Sequence, residues 1–111
     1  MTLIEVKNIL DQLDIPVTFI EWKKGQVPKL PYILYNKGSS NDLMADGYNY
    51  VERHSVNIEL YQDSKKYDFA LEKNLRDLFK NNNIPFARDE IISIPSEQMY
   101  LTGFYITVEE N

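Results

Sequence analysis

Ser55-Val56-Asn57-Ile58-Glu59-Leu60-Tyr61 alternates apolar and polar side chains without a break. A pleated strand sends successive side chains to opposite faces, so Val56, Ile58 and Leu60 turn to a core while Ser55, Asn57 and Glu59 turn outward. This strand is expected to occupy residues 48–61, and the rest of the fold is read outward from it.

Upstream, residues 31–36 read Pro-Tyr-Ile-Leu-Tyr-Asn, aromatic and apolar on both faces, as in a short strand covered by neighbours. Between these two strands lies Lys37-Gly38-Ser39-Ser40-Asn41-Asp42-Leu43-Met44-Ala45-Asp46-Gly47. Its turn formers predict a long flexible loop with two large apolar residues, Leu43 and Met44, at its centre. Further upstream, β-branched and aromatic residues at 17–22 predict a first strand, followed by a turn at Lys24-Gly25-Gln26. Ile15-Pro16 precedes that strand and stops an initial helix. Thr2 and Glu5 have capping-box spacing, and Leu3, Val6, Leu10 and Leu13 fall on one face of this helix with Ile9 beside them.

Downstream, Asp63 or Ser64 is expected to cap a second helix with Tyr67, Leu71, Leu75 and Leu78 as its apolar stripe. Lys66, Asp68, Glu72, Lys73, Arg76 and Asp77 are expected to face water. Asn81-Asn82-Asn83 ends it, because asparagine tolerates the left-handed conformation. Residues 86–94 and 99–108 read as a closing strand pair joined by Pro95-Ser96-Glu97-Gln98. The order α-β-β-β-α-β-β predicts a single α+β domain over residues 1–111. Its mostly antiparallel or mixed sheet should have about five strands with two helices packed on it.

The chain has 111 residues, 43% of them hydrophobic and 26% charged, enough apolar surface to offset the entropy of ordering one core. A net charge of -5 opposes binding to a polyanion, since non-specific nucleic-acid affinity comes from Lys and Arg displacing counterions. Without cysteine, disulfides, thiolate metal sites and a cysteine nucleophile are excluded. The N-terminus carries acid where a signal peptide carries base, and no apolar run has the length of a membrane span, so a soluble protein is expected.

Residues suited to catalysis are few. His54 is the only histidine and has no second imidazole to complete a zinc site, so it reads as a packing or surface residue. Asp46 and Glu59 have a metal-dependent nuclease as a possible reading, but the residue two after Glu59 is Tyr61, a poor stand-in for the lysine such chemistry needs. The four glycines are scattered and form no phosphate-binding loop. Lys23-Lys24 and Lys65-Lys66 each lie beside acids, as on a solvated turn or helix. The expectation is a non-enzyme without cofactor or metal.

Aromatic residues are the unusual feature. Eight tyrosines, five phenylalanines and one tryptophan exceed what so small a chain can bury completely, and Tyr and Trp at a surface favour a subunit contact. Pro31-Tyr32-Ile33-Leu34-Tyr35, Ala45-Asp46-Gly47 leading to Tyr50, Ile58-Glu59-Leu60-Tyr61, a charged helix and Glu97-Gln98-Met99-Tyr100 follow one another in order. In this the chain resembles the tail-completion (tail terminator) proteins of long-tailed phages and prophages of Gram-positive bacteria.

The resemblance implies a structural virion protein at the head–tail interface, made in the host cytoplasm. Its copies form a ring, commonly a hexamer, that caps the tail tube and meets a head-completion or connector protein. DNA only passes through the lumen, and no membrane is involved. Under this reading the contacts fall on Asn41, Asp42, Leu43, Met44, Asp46, Glu59 and Tyr61, with Asp42, Asp46, Glu52 and Glu59 as candidates for an acidic lumen. Leu43 and Met44 have two readings, burial against a neighbour or folding back onto their own sheet. The alternatives are a head–tail connector or another minor structural phage protein, and a small metal-dependent enzyme using Asp46 and Glu59.

Overall fold

A computed structural model describes residues 1–45 and 49–110, with side chains described for 1–38 and 53–109. Thr2 caps α1 (Leu3–Leu10), its hydroxyl accepting from the Glu5 amide at 3.3 Å. Val6 and Leu10 are buried, and a 3-10 turn at Asp11–Leu13 follows. β1 spans Val17–Phe19 and stops short of the expected Trp22. Ile20 takes φ 68°, and the Glu21 amide bonds back to the Phe19 carbonyl at 2.8 Å, a tight turn that lifts the chain out of the strand.

β2 (Tyr32–Ala45) and β3 (Asn49–Asp63) form a long antiparallel ribbon. The expectation of a loop over residues 37–47 is corrected here: residues 37–45 belong to β2, and 46 and 47 lie outside the described residues. The turn formers after Lys37 mark a register shift between Lys37 and Ser40, beyond which pairing resumes as far as Ala45 opposite Asn49. A bulge absorbs an extra residue without ending the strand, so turn chemistry by itself could not separate the two outcomes.

α2 spans Phe69–Asn81, and its cap is Asp68, whose side chain accepts from the Ala70 amide at 2.8 Å. Asp63 instead holds a turn before the helix, its carboxylate accepting from the Lys65 amide. Starting at Asp68 sets the helical phase so that Glu72, Leu75 and Phe79 meet the sheet. Glu72, expected in water, is therefore 2% exposed, and Phe79 takes the place expected for Leu78. At the other end Asn83 adopts φ 56° and the Ile84 amide bonds to the Phe79 carbonyl at 2.8 Å, the asparagine stop that the sequence predicts.

Residues 86–94, expected as one strand, hold two: β4 (Ala87–Arg88) and β5 (Ile92–Ile94), both paired with β6 (Met99–Glu110). β5 and β6 form the expected closing hairpin, with Ile94 opposite Met99. The fold is α+β, with two helices and a six-stranded mixed sheet in the order β1-β2-β3-β6-β4, β5 also lying on β6. β1 pairs parallel with β2, and the other pairs are antiparallel.

Val6 and Leu10 of α1 and Leu75 and Phe79 of α2 share one core with Ile33, Tyr35, Val56, Ile58, Leu60, Phe104, Ile106 and Val108. Both helices thus cover the same face of the sheet. The Cα radius of gyration, 15.3 Å, exceeds the about 13 Å expected of a compact chain of this length, in keeping with the long ribbon.

Candidate site on the open sheet face

The alternate residues of the central strands, Leu34 and Asn36 of β2, Asn57, Glu59 and Tyr61 of β3, and Leu101 and Gly103 of β6, point away from the helices and are half-buried. Among the described residues no helix lies over them. At their centre the register sets Asn36 opposite Asn57, and Glu59 between Leu34 and Gly103. Glu59 accepts from Asn36 Nδ2 at 3.4 Å and from the Tyr61 hydroxyl at 3.1 Å. Asn57 Nδ2 donates to Asn36 Oδ1 at 3.2 Å, completing a polar row in which one group orients the next.

Burial, and then the charge and hydrogen bond of Glu59, push the Tyr61 hydroxyl up to about 12, so it remains a donor at neutral pH. Beside the row, Asp89, Ile92, Leu101, Gly103 and Tyr105 close a shallow cleft of about 120 Å³. Gly103 adds no side chain to its floor, and the Tyr105 hydroxyl donates to Asp89. That bond raises the Tyr105 hydroxyl above its ordinary value, with burial adding to it.

On the other flank Trp22 packs edge-on against Tyr32 at 5.6 Å between ring centroids, and Tyr32 lies 5.3 Å from Tyr61. The result is a charged, hydrogen-bonded centre within an apolar and aromatic border. No group of three or more His, Asp or Glu side chains is gathered as a metal site among the described residues.

Of the residues named from sequence, Glu59 and Tyr61 come together on this face. Asn41, Asp42, Leu43 and Met44 lie on the distal half of β2, opposite Arg53, Glu52, Val51 and Tyr50. Six residues along β3 separate Arg53 from Glu59, about 20 Å of strand, so the fold divides the expected contact set in two. Asp46 lies outside the described residues. Asn36, Asn57, Asp89, Leu101 and Tyr105 were missed. The alternation through β3 already marked Asn57 as outward-facing, but only strand register brings residues from β2, β6 and the β4–β5 connection beside it. His54 is 7% exposed on the helix-covered face, in keeping with a packing residue.

The fold and the site define a two-layer α+β domain in which, among the described residues, no helix covers one face of the sheet. No protein-family model matches the chain, and no curated protein matches it at a significant level.

Proposed function

We propose that this chain is a structural virion protein of the tail-completion kind. Copies assemble as a ring, commonly a hexamer in such proteins, that caps the tail tube and meets a head-completion or connector protein while DNA passes through the lumen. The observation that carries the reading is the open sheet face, where Glu59 and Tyr61 are held inside a border of Trp22, Tyr32, Leu101 and Tyr105. Tyr32 is already buried at 7% exposure, so it is Tyr105, 37% exposed, and the half-buried Trp22 and Leu101 that gain from burial against another protein.

The β2–β3 ribbon supports the same reading. β1 pairs with β2 only at residues 33–35, so among the described residues the outer edge of β2 beyond that point has no neighbouring strand. Unpaired strand edges join other chains readily. Under this reading the work is geometric: specificity lies in which surfaces meet, and no bond is made or broken.

Light scattering on the purified protein, alone and with assembled tail-tube protein, tests the proposal. Self-association or binding to tube ends is expected. A strictly monomeric protein that ignores tubes would overturn it.

A further inference from the structure

The two edges of the sheet carry opposite charge together with exposed apolar side chains. On the β1 side, the connection from β1 to β2 leaves the strand with Ile20 at 57% exposure and carries Val27, 59% exposed, towards the start of β2, where Val27 and Lys29 line a cleft with Tyr32, Asp63 and Met99. Within the connection Lys23, Lys24 and Lys29 accompany Ile20 and Val27, against one acid, Glu21. On the β4 and β5 side, Ile91 and Ile92 are 40% and 52% exposed beside Asp89 and Glu90. The one cation there, Arg88, is already engaged by Glu72. Among the described residues neither the three lysines nor Asp89 and Glu90 form an ion pair. Of the other exposed large apolar residues, Ile4 and Phe69 lie on the helices, while Phe19 and Tyr105 lie on β1 and β6 beside the same two edges.

β1 and β4 are the two ends of the strand order, so Ile20, directly after β1, and Asp89, directly after β4, lie at opposite edges of the sheet. Among the described residues no ion pair joins Lys23, Lys24 or Lys29 to Asp89 or Glu90 within a copy. We propose that the β1-side patch of one copy docks on the β4/β5-side patch of the next, with Lys23 and Lys24 against Asp89 and Glu90 and the isoleucines packed between them. This rests on the ring reading above and supplies the contact that it needs. Two different patches make a head-to-tail contact, which repeats until it closes as a ring, whereas a patch that paired with itself would stop at a dimer.

Ile20 adds a second reason to expect a partner. An isoleucine at φ 68° occupies backbone space that β-branched residues rarely adopt, and it holds an apolar side chain in water. Burial against Ile91 and Ile92 of a neighbour offsets that exposure.

The test uses the full chain. A zero-length carbodiimide reagent applied to a mixture of isotope-labelled and unlabelled protein should join Lys23 or Lys24 of one copy to Asp89 or Glu90 of another. Reversing either patch, as K23E/K24E or as D89K/E90K, should weaken self-association by about tenfold or more, as expected when like charges face one another. Mixing the two variants should restore it, because each then presents the charge that the other lacks. Circular dichroism and thermal melting of both variants separate loss of contact from loss of fold.

Assemblies that form with cross-links elsewhere and ignore both reversals would overturn this contact and leave the ring reading standing. A wild-type protein that stays monomeric at every soluble concentration, alone and with tail-tube protein, would overturn both.

Discussion

At the scale of single residues, Glu72 is the one carboxylate that the fold takes fully out of water among the described residues. It accepts from the Tyr67 hydroxyl at 2.9 Å and from Arg88, and lies 3.8 Å from Arg76 Nε. The Arg88 side chain is 41% exposed, so it can turn to solvent when its partner is lost, whereas Glu72 cannot. Removing the arginine should therefore cost more than neutralising the acid: about 3 kcal/mol for Arg88→Ala and about 1 kcal/mol for Glu72→Gln, read from urea unfolding. Burial, then the hydrogen bond to Glu72, push the Tyr67 hydroxyl up to about 12 from its ordinary 10.0. Below 10.0 the contribution is fully present. Between that pH and about 12 the unfolded chain loses the proton while the folded one keeps it, so stability falls as pH rises. Tyr67→Phe should flatten the fall in melting temperature over this window, and Tyr61 should keep part of it.

At the scale of elements, the two ends of α2 explain why the helix sits where it does. Gln62, 2% exposed on β3, accepts from the Asp68 amide at 3.0 Å and donates to its carbonyl at 3.3 Å, tying the cap to the sheet. At the far end the left-handed Asn83 returns the chain so that Ile84 joins Phe79 in the core. Asp68→Ala and Asn83→Ala should each cost about 1 kcal/mol, the first through the lost cap and the second through a Cβ in left-handed backbone. Asn83→Gly should leave stability unchanged or slightly raised, and thermal melting separates the three variants. The helix end was legible because asparagine runs favour this conformation. The helix start was not, since Asp63, Ser64 and Asp68 are all capable caps, and the choice falls to the one that buried Gln62 holds.

At the scale of the whole molecule, placing both helices on one face produces the site. Tyr105 belongs to the open face and is 37% exposed, so Tyr105→Ser should change folding stability by about 0.5 kcal/mol or less. If the open face is the proposed contact, the same change should weaken association in light scattering while leaving the core intact. Glu59 and Tyr61 could be read from sequence because they sit in the cleanest alternation of the chain. Asn36, Leu101 and Asp89 could not, because they come from three separate segments that only strand pairing makes neighbours.

Local chemistry alone determined the α+β class, the capped first helix, the two faces of β3 and the closing hairpin, because each depends on periodicity or turn residues a few positions apart. Tertiary structure decided that residues 37–45 extend β2, that Glu72 turns inward and that one sheet face stays open. Those outcomes depend on which partner a segment finds across the fold, and a strand's hydrogen bonds, a helix's phase and a sheet's uncovered side are properties of the pairing, not of either segment by itself.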